Sequence, residues 1–403
     1  MPKTINIDGT TLEGGGQLLR IAIGLSALTE QPLHITDIRG NRSGGGGLKL
    51  QHLTGVQWLS RACGAATQGA EKKSRTLKFF AKDHDQASLK VVRGGWEKMD
   101  LVIDIGSPGA IGLVFQAILP YLIFAGANHS DEEELHITIK GGTNVSNSPS
   151  IDYIEHVLLP TLERIGLPKI DVRCRSRGWS TGRTEMGAVT FTVRPLRKSV
   201  SLPAFHLAQR GDVTHLDVIA LGSRASEKSI HRELSEALKG SILEGKPLNM
   251  RFELSGHDKR LYILLIAHTS TGMRFGRDHL FQERFSSLDY AIPRLVQRAV
   301  DDLKMELDHG GCVDEFMRDQ LAVFQALASG RSIIEVGNAE GSLHARTAHW
   351  VADELLGVTF DDDGGCVGVG WTVGTKWERR RDDPNNLADE LKDLSVEDDT
   401  QDL

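Results

Sequence analysis

The chain has 403 residues, 40% of them hydrophobic and 25% charged, with a formal net charge of −7. This is ordinary globular composition, long enough for a sizeable core and two or three domains. The negative balance excludes a broadly basic nucleic-acid-binding face, so any RNA contact must be local.

Four cysteines, Cys63, Cys174, Cys312 and Cys366, stand far apart with no Cys-x-x-Cys pair. That argues against a zinc site or a disulfide framework and for reduced thiols. No long apolar run follows Met1-Pro2-Lys3, so no signal peptide is expected. Apolar stretches such as 117–125 are too short to span a bilayer. The expectation is an intracellular protein with no membrane association.

From the N-terminus, one rhythm recurs: a short β-rich run, a glycine-rich turn, then a helix with apolar residues at 3.6 spacing. Residues 4–8 lead through Gly14-Gly15-Gly16 into a helix over 17–28. Residues 33–38 lead through glycines 44–47 into a helix over 48–63. Residues 100–105 precede Gly106-Ser107-Pro108-Gly109 and a helix over 111–125. Residues 136–140 precede Gly141-Gly142-Thr143 and a helix over 151–165.

Residues 197–290 break the rhythm, with strands near 216–221 and 260–267 and a helix over 227–239 between them. A later helix over 313–329 follows Gly310-Gly311, and a strand over 332–336 leads to a helix over 347–356. Alternation of strands and helices predicts an α/β fold of repeated βαβ-type units. The expected body is 1–196 plus 291–381, with a small α/β domain inserted at 197–290. The acidic stretch 382–403 is expected to be a disordered tail. The basic triplet before it reads as a charged junction or as part of a nuclear-import signal.

Glycine turns that open helices let backbone N–H groups approach anions. Neither Gly14-Gly15-Gly16 nor 44–47 has Walker or dinucleotide-fold spacing. Each alone is equally a flexible turn. Arg39 and Arg42 precede the second cluster, Lys49 follows it, and Arg20 follows the first. Together they form either a solvated charge cluster or a polyphosphate site. Among 15 histidines, His344 lies in Gly341-Ser342-Leu343-His344-Ala345-Arg346-Thr347, read as a loop between strand and helix. His349 competes with it on the same grounds.

Five blocks, in order, resemble the signatures of the RNA 3′-terminal phosphate cyclases. They are residues 13–20 (Glu13 to Arg20), 38–54 (Arg39, Arg42, Gln51 and His52), 105–116 (to Gln116), 313–321 (Phe316, Asp319, Gln320) and 343–347 (His344). The resemblance runs to about residue 356. It implies a body related to the enolpyruvyl transferases with a smaller inserted domain. It also implies ATP-dependent closure of an RNA 3′-terminal phosphate to a 2′,3′-cyclic phosphate through an adenylated histidine.

By that resemblance His344 is the nucleophile and Glu13 the ligand of a divalent metal, Mg or Mn. Arg39, Arg42 and Gln51 would hold phosphates, and Gln116, Phe316, Asp319 and Gln320 the adenosine end. Arg20 and His52 match without an assigned role. The family's eukaryotic members imply a nuclear location, other members a cytoplasmic one.

The sequence departs from the family pattern in three places. Phe316 stands where Tyr is frequent, residues 178–187 lack the usual Pro and triple glycine, and 146–150 are poorer in proline. The competing readings are a non-catalytic cyclase-like factor of ribosome assembly and an enolpyruvyl-type transferase. Retention of Glu13 and His344 argues against the first; the Asp319-Gln320 helix and the histidine argue against the second.

Overall fold

The structure is a computed structural model that describes residues 3–42, 44–80, 101–125, 134–338 and 341–377. The expected acidic tail and the basic junction before it lie outside these residues.

The first unit runs β1 (Ile5–Asp8), α1 (Gly16–Thr29), β2 (Leu33–Thr36), α2 (Leu50–Cys63), β3 (Ala66–Gln68) and β4 (Leu77–Phe80). Its sheet has the order β1-β2-β4-β3, with β1 and β2 parallel and the other pairs antiparallel. The second unit repeats this plan. It runs β5 (Val102–Asp104), α3 (Ile111–Phe124), β6 (Leu135–Gly141), α4 (residues 151–164), β7 (Asp171–Ser176) and β8 (Gly187–Val193). Its order is β5-β6-β8-β7, with the same pairing directions. The middle of α4, Ile154–Leu158, widens into a π-turn.

A third unit opens with β9 (His206–Leu207) and is interrupted at once. The chain builds β10 (Val213–Gly222), α5 (Glu227–Ala237), β11 (Leu248–Leu254), β12 (Tyr262–Thr269), β13 (Arg274–Leu280) and α6 (Leu288–Asp308). These four strands form their own sheet in the order β11-β10-β12-β13. α6 packs on α5, β12 and β13, so this layer continues past residue 290. The chain then completes the third unit with α7 (Glu315–Leu327), β14 (Ser329–Ile334), α8 (Leu343–Leu356) and β15 (Gly365–Val369). There β9 pairs parallel and β15 antiparallel with β14.

The α/β class and the repetition expected from sequence are therefore present. The core lies between the sheets, where α1 packs on α2, α3 and α8. α3 is apolar on every side, and Gln116 is its one residue that is not buried. No helix among the described residues is long and apolar enough to cross a membrane.

The insert is stitched to α7 by a buried carboxylate. Asp314 caps α7 by accepting from Met317 N at 2.9 Å. It also accepts from Tyr153 Oη at 2.6 Å on α4 and from Gly276 N at 2.9 Å on β13. Next to it, Arg277 of β13 pairs with Glu306 of α6 and with Glu315 at 3.2 Å. A buried polar group is stable only when its hydrogen bonds are made, and here three elements supply them. The start of α7 is thereby fixed, and with it the residues one turn further on that face the candidate site.

Candidate active site

The repeat brings the starts of α1, α2 and α8 together. At the head of α1, Gly14 has φ of 56°, and a Cβ there would stand 2.3 Å from Asn41 Nδ2. A Cβ on Gly16 would stand 2.5 Å from His52 Nε2 and 3.1 Å from an Arg20 terminal nitrogen. The glycines are thus required by close approach to the 39–42 segment and to α2, beyond any need for flexibility.

Glu13 is 9% exposed. One carboxylate oxygen is paired with Arg42, and the other, Oε2, is buried with no partner. The Glu13 backbone N–H donates to Thr347 Oγ1 at 3.2 Å, which ties the glycine turn to α8.

His344 lies one turn before Thr347. Its place is the first turn of α8, not the loop expected from sequence. Ser342 caps the helix, its Oγ accepting from Ala345 N at 3.1 Å, and this starts the helix four residues earlier than periodicity implied. The residue is exposed, but its ring nitrogen Nδ1 is engaged 2.7 Å from Gln17 Oε1. Gln17 Nε2 in turn donates to Asp319 Oδ2 at 2.5 Å.

This chain of bonds sets the imidazole's state. The carboxylate side claims the Gln17 amide nitrogen, so the amide oxygen faces the ring and can only accept. His344 Nδ1 therefore carries the proton, and Nε2 keeps its lone pair. Loss of hydration, then the positive fields of Arg20 and Arg42, lower the His344 pKa and favour the neutral ring. Burial pushes the Asp319 carboxyl up to about 7, against the pull of Arg20 and the Gln17 bond. Arg20 is itself lowered to about 10 by loss of hydration, with Asp319 opposing.

His349 has a different job. Its ring stacks on Phe360 with centroids 3.9 Å apart and planes 5° apart, and burial beside Arg318 lowers its pKa to about 4. It is a packing residue, whereas His344 is the one of the two that meets Gln17.

The other expected residues divide. Gln116, Asp319 and Gln320 line one cavity together with Gln17, Arg20 and Phe324. Phe316 lies outside that lining. Arg277 sits over its ring at 4.3 Å and Tyr153 meets it edge-on at 5.9 Å, contacts that a ring without a hydroxyl can fill.

Arg39 is 8% exposed, has a left-handed φ of 57°, and donates to Gly47 O at 3.3 Å. Arg42 and Lys49 stay exposed. Gln51 accepts from Ala110 N at 3.0 Å through its amide oxygen, which caps α3 and leaves its NH2 group as the donor. His52 is buried among Arg20, Arg39, Lys49 and Arg42; burial first, then those charges, drives its pKa well below the usual value.

Sequence reasoning gave no role to Gln17, Arg20 or Thr347. The available signal was Gln17 itself: a polar side chain at the head of a helix that is mostly buried and aliphatic.

A family model described as RNA 3′-terminal phosphate cyclase matches residues 11–361. A protein of that name from Methanosarcina mazei is 32% identical over 88% of this chain and 96% of its own length. The one from Pyrococcus furiosus is 31% identical over 93% of this chain and 98% of its own. That from Methanosarcina barkeri is 33% identical over 88% and 96%. The chain is a mixed α/β protein with a histidine-bearing site where three repeated units meet. It belongs to the RNA 3′-terminal phosphate cyclase family.

Proposed function

We propose that this chain uses ATP to close an RNA 3′-terminal phosphate into a 2′,3′-cyclic phosphate, with His344 as the nucleotidyl carrier. The observation that carries the reading is the Asp319–Gln17–His344 chain of hydrogen bonds, which leaves Nε2 unprotonated in the field of Arg20 and Arg42.

The His344 Nε2 lone pair attacks the α-phosphorus of ATP. A P–N bond forms, the bond to the bridging oxygen breaks, and pyrophosphate leaves with that electron pair. The proton on Nδ1 stays where it is, donated to Gln17 Oε1. The positive charge that grows on the ring meets an oriented amide dipole backed by Asp319, with no reorganisation at the moment of reaction. An oxygen of the RNA 3′-phosphate then takes the AMP group, breaking the P–N bond. Finally the neighbouring 2′-OH attacks the activated 3′-phosphorus, loses its proton, and expels AMP.

Arg39 beside Gly47, Arg42 beside Glu13 and the NH2 group of Gln51 beside Gly109 would hold the phosphate oxygens. Gln116, Asp319 and Gln320 line the adjoining cavity, which suits the adenosine end. The orphaned Glu13 Oε2 would supply one bond to a hard divalent cation such as Mg or Mn. When bound, that ion supplies charge neutralisation on the polyphosphate.

The test is incubation with α-labelled ATP and Mg or Mn, followed by denaturation and by assay of an RNA 3′-phosphate. Label stable to alkali and lost in mild acid, absent in His344→Ala and kept in His349→Ala, supports the reading. Label kept in His344→Ala, or label with no cyclic phosphate formed on any RNA, overturns it.

A further inference from the structure

The insert carries a second cluster of chemistry-bearing side chains, remote in sequence from Glu13, Gln17, Asp319 and His344. His215 and Asp217 are two apart on β10 and share one face of the sheet. His268 on antiparallel β12 is the direct cross-strand partner of His215. The two rings stack with centroids 4.3 Å apart and planes 9° apart. One ligand-type atom from each of the three residues falls within 4.8 Å of the others.

Two details point to a cation and not to an ordinary ion pair. First, His268 Nε2 is buried and stands 2.8 Å from Asp217 Oδ2, an ion-pair distance at which a ring N–H would not be aligned on the oxygen. Adjacent ligands on one metal, with bonds of about 2.0–2.1 Å, lie about 3 Å apart without bonding each other.

Second, the outer partners are those that orient metal ligands. Thr214 donates its hydroxyl to His268 O at 3.1 Å, so its oxygen accepts from His215 Nδ1 at 2.9 Å. That places the proton on Nδ1 and leaves His215 Nε2 with its lone pair. Asn249 Nδ2 donates to Asp217 Oδ1 at 3.0 Å and fixes the carboxylate. Support of metal ligands by a second hydrogen bond is the pattern of protein metal sites, and His215 and Asp217 have it here.

Asp217 also borders a cavity of about 420 Å³ between the insert and the body. Its other walls include Asn249, Met250, Arg251 and His156 of α4.

We propose that His215, Asp217 and His268 bind one divalent cation of the zinc type, with the fourth position open towards this cavity. Two imidazoles and one carboxylate suit zinc and its neighbours and not magnesium or calcium, which take oxygen ligands. The cysteine count argued against zinc; this site uses none.

The test uses the full chain, stripped with a chelator and free of ATP. Zinc is titrated by calorimetry, and cobalt by its visible d–d absorption. One equivalent is expected, with binding lost in the double variant His215→Ala/His268→Ala and kept in Glu13→Gln, the carboxylate proposed for the other cation. Thr214→Val, which keeps all three ligands, should weaken zinc about 10- to 100-fold; this variant decides if the double variant does not fold. Absence of saturable binding, binding unchanged in Thr214→Val, or binding lost in Glu13→Gln overturns the proposal.

Discussion

Replacing Gln17 by Met removes the amide while keeping the length and volume of the side chain. Two hydrogen bonds go: the one at 2.7 Å to His344 Nδ1 and the one at 2.5 Å to Asp319 Oδ2. The first matters to the reaction because the ring gains positive charge as Nε2 bonds phosphorus. A hydrogen bond to a charged group is worth about 1.5–3 kcal/mol, and about 1.4 kcal/mol is tenfold in rate. Gln17→Met should therefore slow adenylation of His344 by about 10- to 100-fold.

The ring of Gln17→Met is also free to hold its proton on either nitrogen, so part of the population presents no lone pair at Nε2. The assay is a single-turnover time course of acid-labile label from α-labelled ATP, at saturating nucleotide. Saturation separates this loss from weaker binding, since Gln17 also lines the cavity. Melting of the variant is checked in parallel, because burial of an unpaired Asp319 also costs stability. An undiminished single-turnover rate in a folded Gln17→Met protein would refute the claim that Gln17 sets the nucleophile.

The pH dependence follows from the direction of the His344 shift. Its folded pKa lies below the ordinary histidine value of about 6.5, so the neutral ring dominates above that pH. Labelling should fall towards acid as the His344 ring protonates below about 6.5, with an earlier loss as Asp319 protonates at about 7 and loosens its hold on Gln17; labelling that rises towards acid contradicts the geometry. Gly16→Ala forces a Cβ against His52 Nε2, which is buried and hemmed by arginines. Overpacking of this kind costs about 1–3 kcal/mol, which thermal unfolding should report as a loss of several degrees together with reduced labelling. Unchanged melting and unchanged labelling would show that the turn has room to give.

Much of the architecture is set by local pattern. Glycine turns between apolar runs of period two and 3.6 suffice to mark β1, α1, α2, α3 and two of the insert's four strands, because those signals depend on neighbours in sequence. Glu13, Arg42, Gln116, Asp319 and His344 could be singled out as candidates for the same reason, each inside a short motif. Element ends were less so. The start of α8 turned on one Ser342 hydroxyl, and the layer of the insert ran on to α6 because burial against β12 and β13, not composition, decides where a helix packs.

Only the tertiary structure shows how the surroundings of His344 and His349 differ. They sit five apart on one helix, so they face different neighbours, and those neighbours come from residues 17 and 360. The role of Gln17, the displacement of Phe316 from the cavity and the meeting of His215 with His268 are likewise products of long-range contact. A proton's position on an imidazole depends on what stands about 3 Å away, and that distance does not exist until the units have packed.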